Sequence, residues 1–422
     1  MRVVCFPLGS AGDVFPFLGL AIQLRARGHD VIVATNPHFE AQVRRERLAF
    51  EPVGTEEDYQ LITRDPDLWH PRRGFEAIVR HADRIIRRQH EVCVRWLGEG
   101  GPGEERGVAV ANLLSFGVRA ARDRLAFPLI TVHLQPGVIL SRESPPAFGD
   151  ARTPVWLRRW LLPLGERWVI DRLAAPKINA WLREIGLPPI RQVARWWNSP
   201  DGVLCLFPEW FASPRGDWPR PLVQTDFPLW NSGSEQPLPE SLEQFLAAGP
   251  PPVVFAPGTA NVQAAQFFHA SVDACRHLGL RGVLLSRFPE QIPTGLPDTC
   301  RHVDYAPLDR LLGRAAAIVH HGGVGTTSQA LLAGVPQLIR PLAHDQFDNL
   351  ERVRRLGVGR GISVGQYRAR QVATELKSLL NSGEVKTACA DVRRHFEAKR
   401  GLEQAATAIE QLAAQARINQ PG

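Results

Sequence analysis

The hydrophobic pattern alternates between short apolar runs, many of them followed by glycine or hydroxyl residues, and longer amphipathic stretches. The first series predicts strands at residues 2–8, 31–35, 108–111, 129–132 and 202–207, with a helix at about residues 15–27. A second series predicts strands at residues 252–256, 282–285, 315–319 and 337–339. Because strand–helix alternation is typical of parallel sheets covered by helices, the sequence predicts an α/β chain with two doubly wound parallel sheets.

The two series are separated by residues 229–252, which are rich in proline, glycine, serine and glutamate. This composition predicts a linker that contains a short helix at residues 240–247. We therefore expect an N-terminal domain over residues 1–228 and a C-terminal domain over residues 253–400. A long helix-like stretch runs from residue 388 to residue 416, and we expect residues 401–422 to pack back on the N-terminal domain.

The most informative local pattern is the run IVHHGGVGTT at residues 318–327. An apolar strand enters this run and an apolar helix follows it, so glycines, histidines and hydroxyls lie at a strand-to-helix turn. Turn glycines let backbone N–H groups approach a ligand closely, and the helix N-terminus carries partial positive charge. The run therefore predicts a binding site for a diphosphate, and hence nucleotide-linked substrates.

Composition indicates what kind of protein this is and in which compartment it is expected. Of the 422 residues, 44% are hydrophobic and 22% are charged, as in an ordinary globular protein. No apolar run reaches the ~18 residues of a membrane span, and the first residues form a strand and turn that a signal peptide would lack. We therefore expect a cytoplasmic protein. The six cysteines lack metal-ligand spacing, which favours reduced core thiols.

The net charge of +7 comes almost wholly from arginine and suits an anionic sugar nucleotide or an anionic membrane face. The clustered basic and aromatic pattern of nucleic-acid binders is missing, so we expect no nucleic-acid partner. Residues 152–197 combine six tryptophans with many arginines. Such a segment can lie in a membrane interface, which would make the protein peripheral to the inner membrane. The alternative, a helical insert whose indoles pack on the domain, is favoured by the sequence.

Five motifs in order carry a family resemblance: GSAGDVFP at residues 9–16, TDFPL at 225–229, YAPL at 305–308, HHGG at 320–323 and AHDQFDN at 343–349. Their order and spacing resemble the UDP-glycosyltransferase superfamily, especially its bacterial rhamnolipid rhamnosyltransferase, sterol and antibiotic branches. The resemblance covers nearly the full length. It implies the GT-B fold, in which two Rossmann-like domains face a cleft, and the activity of a hexosyltransferase.

The resemblance also implies which residues bind the nucleotide-sugar donor. His320 would contact the diphosphate, and further donors to the same group would come from Gly322, Gly323, Thr326 and Thr259. Tyr305 would stack on the base while the backbone at Ala306 reads the base edge, and the sugar hydroxyls would be bound by Asp345 and Gln346. Tyr305 could instead be an ordinary core aromatic, and His321 and His344 could each serve only local structure.

Two positions depart from the plant members of the superfamily. Leu308 stands where many of them have a glutamine, and Ser328 stands where they have a glutamate that binds the ribose hydroxyls. A site without a carboxylate for the 2′-hydroxyl has less reason to reject deoxyribose. We therefore expect dTDP-sugars to be accepted beside UDP-sugars.

The resemblance assigns the general base to Asp13, because some bacterial members carry an aspartate after the first strand. The alternative, compatible with the first, is that Asp13 caps the following helix. No Asp-x-Asp dipeptide is placed for a metal-bound diphosphate, so we expect an inverting transfer with no metal ion and no cofactor. The acceptor pocket is expected around Phe15, His133 and Gln135, where apolar surroundings favour a hydrophobic hydroxylated acceptor.

The predicted function is therefore the transfer of a rhamnose- or glucose-type hexose from a dTDP- or UDP-sugar to a hydroxyl of a hydrophobic small molecule or lipid. Two alternatives stay open at this point. One is a nucleotide-sugar epimerase, and the other is a non-catalytic partner that binds a nucleotide sugar and activates another transferase. The sequence predicts no oligomeric state.

Overall fold

The computed structural model describes residues 1–98, 107–147, 153–230, 237–259, 261–396 and 400–419. The chain forms two compact units. The first unit comprises Met1–Pro228 together with Arg400–Gly422, and the second comprises Leu229–Lys399. Each unit is built around one parallel sheet with flanking helices, which confirms the predicted pair of parallel sheets.

The first unit contains seven strands within the described residues, in the order β3-β2-β1-β4-β5-β6-β7. These strands are β1 (Arg2–Phe6), β2 (Asp30–Thr35), β3 (Ala49–Pro52), β4 (Val108–Asn112), β5 (Leu129–His133), β6 (Val203–Cys205) and β7 (Leu222–Gln224). All neighbours run parallel, and Val3 of β1 lies opposite Val31 on one side and Val108 on the other. The central strands read as continuous apolar runs because both faces of the sheet are buried.

The helices of the first unit are α1 (Ala11–Ala26), α2 (Glu40–Arg45), α3 (Glu56–Arg64), α4 (Gly74–Arg80), α5 (Ala82–Leu97), α6 (Phe116–Leu125), α7 (Val155–Gly165), α8 (Arg172–Glu184) and α9 (Val193–Trp196). A π-helical turn, Glu166–Asp171, joins α7 to α8. No helix among the described residues combines the length and the apolar character needed to cross a membrane.

The second unit has six described strands in the order β10-β9-β8-β11-β12-β13, again all parallel. They are β8 (Val253–Ala256), β9 (Gly282–Leu285), β10 (Cys300–Val303), β11 (Ala317–His320), β12 (Gln337–Ile339) and β13 (Gly359–Gly361). The helices are α10 (Glu240–Ala247), α11 (Ala265–Leu278), α12 (Leu308–Leu311), α13 (Val324–Ala333), α14 (Gln346–Arg355), α15 (Ala369–Asn381) and α16 (Gly383–Arg394).

Helix α10 lies in the stretch that the composition predicts as a linker. Its Leu242, Phe245 and Leu246 are buried in one cluster with Val254 and Ile318 of the second sheet. The apolar spacing along α10 explains this packing, since these three residues share one face of the helix. Residues 240–247 therefore contribute to the core of the second unit.

The last helix, α17 (Gly401–Asn419), returns to the first unit and packs against α1. Nη1 of Arg27 donates to Glu410 at 3.0 Å and to Thr407 Oγ1 at 2.8 Å, while His29 Nε2 lies 2.8 Å from the other oxygen of Glu410. The sequence predicts a long helix-like stretch over residues 388–416, with the domain boundary at residue 400. The structure instead ends α16 at Arg394 and begins α17 at Gly401, so each helix belongs to a different unit.

Candidate functional site

Two glycine turns lie side by side at the carboxyl edge of the second sheet. Strand β8 leads into Gly258 and Thr259, and β11 leads into Gly322 and Gly323. The two strands are neighbours, with Ala256 opposite His320 in the register. Gly258 has a φ of 109° and Gly322 a φ of 95°, conformations that glycine adopts without a steric penalty. Ligands of doubly wound sheets bind at this edge.

The His321 ring lies against both turns. A methyl group placed on Gly258 would lie 3.2 Å from Cε1 of this ring, and one placed on Gly323 would lie 2.5 Å from Nε2. Burial lowers the pKa of His321 to about 4, although a hydrogen bond to the Ala256 backbone favours the charged form. The imidazole is therefore neutral at pH 7. Its Nδ1 is enclosed and makes no regular hydrogen bond within the described part of the chain.

His320 is placed differently from the prediction. It is 0% exposed, its Nε2 lies 3.0 Å from Oε1 of Gln337, and its Nδ1 accepts the N–H of Gly322 at 3.2 Å. Burial lowers its pKa to about 3, so this ring is also neutral. Both ring nitrogens of His320 are hydrogen-bonded within the protein. The ring therefore stabilises the turn and has no N–H left to donate to a diphosphate. His321 is the histidine that lies at the glycine turns.

Helix α13 begins directly after these glycines, with Gly323 as its N-cap and no side-chain capping bond. The first backbone N–H of α13 that makes a helical hydrogen bond is that of Thr327, which donates to the Gly323 carbonyl at 3.0 Å. The N–H groups of residues 324–326 precede it and point out of the helix N-terminus. Thr326 is half-buried there, and Oγ1 of Thr327 is enclosed without a partner among the described residues. The arrangement is suited to binding an anion.

Side chains of helix α14 form hydrogen bonds with the Gly322 turn and with the loop that precedes the helix. Nδ2 of Asn349 donates to the Gly322 carbonyl at 2.9 Å and to Oδ2 of Asp345 at 2.7 Å. Oε1 of Gln346 accepts the N–H groups of Leu342 and Ala343, at 2.7 and 3.3 Å. The side chain of Gln346 is thus engaged by its own loop, whereas Asp345 is half-buried beside the turn. No role is predicted for Asn349 from the sequence, although its amide connects the Gly322 turn with Asp345.

His344 has a φ of 57°, which is unusual for a residue with a side chain. It immediately precedes Asp345 in the loop that leads into α14. Backbone strain of this kind persists only where the surroundings hold it in place, and it is enriched at binding sites. The His344 conformation fixes the direction from which Asp345 enters the helix.

The residues predicted to bind the base differ in burial. Tyr305 is half-buried, with the Arg287 guanidinium 5.3 Å from its ring centroid, so the ring is not a fully buried core aromatic. Ala306 is 3% exposed and belongs to the core cluster under this loop. Oγ of Ser328 donates to the Gly325 carbonyl at 2.9 Å. The serine hydroxyl is therefore turned back onto its own helix.

Arg340 is a cation at this edge that sequence reasoning did not find. It follows β12, whose Ile339 lies opposite His320. Its guanidinium carbon lies 5.2 Å from the Tyr367 ring centroid and 5.9 Å from that of Phe267. Its Nε is enclosed and has no hydrogen-bond partner within the described ranges. None of the ion pairs among the described residues involves Arg340, and a half-buried guanidinium of this kind is costly in free energy.

In the first unit, Asp13 lies in the first turn of α1. Its Oδ2 accepts the backbone N–H of Ser10 at 2.8 Å and the Ser10 hydroxyl at 3.1 Å. Burial raises the pKa of Asp13, and the two bonds from Ser10 oppose this rise. Gly9 has a φ of 133°, and a methyl group on it would lie 2.7 Å from Cγ of Asp13. Ser10 is thus the N-cap of α1, and Asp13, inside the first turn, completes a capping box with it, which differs from the predicted cap at Asp13 itself. This placement is compatible with a role as a base.

The predicted acceptor residues lie at the carboxyl edge of the first sheet or in α1. His133 ends β5, is 0% exposed, and its Nε2 donates to Oδ1 of Asn198 at 2.7 Å. Burial lowers the pKa of His133 to about 4. Its Nδ1 is enclosed and has no hydrogen-bond partner in the described part of the chain. Phe15 and Gln135 are half-buried.

Within the described residues, no three His, Cys, Asp or Glu side chains gather as a set that could hold a metal ion. The six cysteines are buried and unpaired.

Comparison with known proteins identifies the class. Residues 3–99 match the glycosyltransferase family 28 N-terminal domain, and residues 287–412 match the erythromycin biosynthesis protein CIII-like C-terminal domain. The chain is 27% identical over 436 residues to O-mycaminosyltylonolide 6-deoxyallosyltransferase of Streptomyces fradiae, and the match covers 98% of each protein.

Solved structures show the same fold. The glycotransferase of kitacinnamycin superimposes with a TM-score of 0.74 at 21% identity, covering 98% of this chain and 99% of that one. The glycosyltransferase VinC, in complex with dTDP, gives a TM-score of 0.68 at 21% identity, covering 98% and 100%. The fold and the matched domains define the chain as a glycosyltransferase. It belongs to the GT-B superfamily, which confirms the family resemblance.

Proposed function

We propose that this glycosyltransferase moves a hexose of the rhamnose or glucose type from a dTDP- or UDP-sugar to a hydroxyl of a hydrophobic small molecule or lipid, with inversion and without a metal ion. The proposal rests on one observation. The uncapped N-terminus of α13 follows directly on the Gly322–Gly323 turn, and the neutral His321 ring lies against this turn and against Gly258. This combination is chemically suited to a diphosphate, which is the leaving group of a nucleotide sugar.

The second unit would stabilise that leaving group. The N–H groups of residues 324–326 supply fixed donors, and the Thr326 hydroxyl adds another. A neutral imidazole has one N–H, so the proposal requires that His321 gives it to a phosphate oxygen in place of the Ala256 backbone; its Nδ1 makes no regular hydrogen bond within the described residues. The Arg340 guanidinium supplies positive charge at the same sheet edge. Preorganised donors of this kind can replace a metal ion, so we expect transfer to continue when divalent cations are removed.

The first unit would activate the acceptor through Asp13. In the proposed step the acceptor oxygen attacks the anomeric carbon while its proton passes to the Asp13 carboxylate. The bond between the anomeric carbon and the diphosphate oxygen breaks at the same time, and its electron pair leaves with the diphosphate. Burial raises the pKa of Asp13, which makes the carboxylate a better base than an exposed one. One displacement of this kind inverts the anomeric centre.

Acceptance of dTDP is supported by two observations. Ser328, at the position where plant members carry the ribose-binding glutamate, has its hydroxyl bonded to the Gly325 carbonyl. The structurally similar VinC was captured with dTDP. A small-molecule acceptor is supported by the name of the Streptomyces fradiae relative. The half-buried Phe15, two residues after Asp13 on α1, favours an apolar acceptor.

The decisive experiment measures nucleotide binding in the presence of EDTA. Titration calorimetry with dTDP, UDP and GDP would compare the unaltered chain with His321→Gln and with His277→Gln, an exposed histidine on α11 that serves as the matched control. We expect dTDP to bind at least as tightly as UDP, and we expect about ten-fold weaker binding for His321→Gln because one charge-assisted bond is lost. The control should match the unaltered chain.

Three outcomes would contradict the proposal: no nucleoside diphosphate binds, binding requires a divalent cation, or both histidine variants bind equally well. Product analysis then separates the alternatives. A transferase converts dTDP-rhamnose or UDP-glucose plus a hydroxylated lipid into a glycoside of inverted configuration. An epimerase would alter the donor sugar without an acceptor, and a non-catalytic partner would bind nucleotide without turnover.

A further inference from the structure

Helix α7 carries an unusual row of exposed tryptophans. Trp156 is 64% exposed and Trp160 is 76% exposed, and Leu164 and Trp168 follow at 53% and 58%. These four residues recur every fourth position, so on α7 and the adjoining π-turn they form a continuous stripe, here called the tryptophan face. The sequence analysis favours an insert whose indoles pack on the domain. The structure corrects this for Trp156, Trp160 and Trp168.

The tryptophan face has no covering element in the described structure. Leu162 is the buried residue of α7, and the π-turn Glu166–Asp171 has none among its described residues. The insert is anchored by α8, whose Ala174, Ile178 and Leu182 are buried in a cluster with Phe116 and Trp197. Burying an indole is strongly favourable, so a contiguous exposed apolar stripe of this kind marks an interaction surface.

The charges around this face are mainly positive. Arg159, Arg167 and Arg172 are exposed on α7, on the π-turn and at the start of α8. The Arg167 guanidinium lies 5.7 Å from the Trp168 ring centroid, and Nε of Arg159 donates to the Arg142 carbonyl at 2.9 Å. The neighbouring acids Glu166 and Asp171 are partly buried, whereas the arginines are open to solvent. Apolar indoles beside exposed arginines are the composition of helices that lie in the interface of an anionic bilayer.

We propose that the tryptophan face docks on the surface of an anionic lipid bilayer, with α7 lying in the membrane plane. The indoles would enter the boundary between headgroups and acyl chains while the arginines bind lipid phosphates. A second copy of this chain fits less well, because a two-fold contact would bring the exposed arginines of both copies together, while the neighbouring acids Glu166 and Asp171 are partly buried. The 11 residues of α7 are too few to cross a bilayer, for which about 20 are needed.

This inference goes beyond the proposed function and does not require it. If both hold, the acceptor hydroxyl belongs to a lipid or another molecule dissolved in the bilayer, and that consequence does rest on the proposed function. The cytoplasmic leaflet carries the anionic surface potential, which agrees with the location predicted from the sequence.

The test is co-sedimentation of the full chain with vesicles of phosphatidylglycerol and phosphatidylcholine, or of phosphatidylcholine alone, without nucleotide. We expect binding to the anionic vesicles and about ten-fold weaker binding for the triple variant Trp156→Ala/Trp160→Ala/Trp168→Ala. The matched control is Leu61→Ala/Ile418→Ala, which removes apolar side chains that are 58% and 78% exposed elsewhere in the first unit. This control should bind like the unaltered chain.

A second pair of variants tests how far the exposed arginines contribute to binding of anionic lipid. Arg159→Glu/Arg167→Glu should weaken binding to anionic vesicles, and Arg368→Glu/Arg370→Glu, the same change of charge at exposed residues of the second unit, should leave it nearly unchanged. Binding should also fall at about 1 M NaCl, where the Debye length is about 3 Å. Equal effects of both pairs would show a general charge effect and overturn the docking face.

Tryptophan fluorescence measured with brominated lipids tests the same face in variants that keep its apolar side chains. Brominated lipids quench the fluorescence of tryptophans that enter the bilayer. We expect quenching in the unaltered chain and its loss in Trp156→Phe/Trp160→Phe/Trp168→Phe, where the apolar face is kept. The proposal is wrong if anionic vesicles do not bind, or if sedimentation velocity shows that the alanine variant converts a dimer into a monomer. The dTDP titration, repeated on the alanine variant, reports separately on the donor site.

Discussion

At the scale of single residues, the two adjacent histidines of the HHGG run have opposite environments. His320 ends a strand and is enclosed, with Gln337 and the Gly322 N–H on its two nitrogens. His321 follows it and packs on Gly258 and Gly323. Successive side chains at the end of a strand point to opposite sides of the sheet. One histidine of the pair is therefore buried in the core, and the other lies against the glycine turns. The run itself does not reveal which histidine takes which place.

Asp13 can be tested by a substitution that separates its two roles. Asn at this position still offers an oxygen to the Ser10 N–H but cannot take a proton. We expect Asp13→Asn to lower kcat by about 10²- to 10⁴-fold while dTDP affinity stays within about two-fold. The melting temperature should change little, because the cap survives. Steady-state kinetics and calorimetry measure both effects. Near-normal turnover would eliminate Asp13 as the base.

The matched control for Asp13 is Asp58, which caps α3 in the same manner. Its Oδ2 accepts the N–H of Thr55 at 2.9 Å, as Asp13 accepts that of Ser10. Asp58→Asn should leave kcat unchanged, since α3 takes no part in the proposed chemistry. A similar loss in both variants would attribute the effect to helix capping.

At the scale of elements, the glycine turns determine where the His321 ring lies. We expect Gly323→Ala to displace that ring, because the new methyl group would come 2.5 Å from Nε2, and to weaken dTDP binding by about ten-fold or more. The matched control is Gly383→Ala in the first turn of α16, where a methyl group meets nothing within 4 Å. Calorimetry on both variants gives the comparison. Unchanged binding by Gly323→Ala would argue against a contact between His321 and the diphosphate.

The sequence predicts the elements best where burial makes the pattern simple. Central strands such as β1, β4 and β11 are continuous apolar runs bounded by turn residues, and the structure has them at nearly the predicted positions. The four short edge strands β3, β7, β10 and β13 are missed because each has only three or four residues and carries polar residues or glycine. The break between α16 and α17 is missed because helical periodicity continues through it, although the flanking helices pack on different units.

The candidate site is predicted less completely than the fold. Motif spacing located the glycine turns and the loop before α14, since these features depend on residues close in sequence. The contacts of Asn349 with Gly322 and the position of Arg340 between two aromatic rings depend on the order of strands in the sheet. The exposure of Trp156, Trp160 and Trp168 was also not predictable, because an amphipathic pattern does not say whether its apolar face is covered.

At the scale of the whole molecule, four histidines with a lowered pKa make stability depend on pH: His90, His133 and His320 are buried, and His321 is half-buried. Burial lowers the pKa of His133 and His321 to about 4 and that of His320 to about 3, below the ordinary value of about 6.5. The unfolded chain therefore binds more protons than the folded chain between these values. Their contribution to stability is present above about pH 6.5 and is lost as the pH falls toward about 4.

We expect the urea midpoint to fall steadily from pH 7 to about pH 4.5, with a free-energy slope of up to about 4 kcal/mol per pH unit from His133, His320 and His321 together. The raised pKa values of Asp13 and Glu166 act in the opposite direction, since these groups favour the folded state at low pH, but they are two groups against four histidines. Urea titrations at several pH values measure the slope. A flat profile over this range would contradict the neutral, enclosed state of these rings.

Helix α17 has a consequence for the order of events during synthesis. The chain completes most of the first unit by Pro228, makes the second unit next, and adds the segment that packs on α1 only after residue 400. A ribosome therefore exposes the Arg27 and His29 surface without its Glu410 partner while the whole second unit is being made. The first unit is therefore completed last. A chain interrupted after the second unit lacks α17 and leaves the apolar surface of α1 exposed, which cellular quality control can detect.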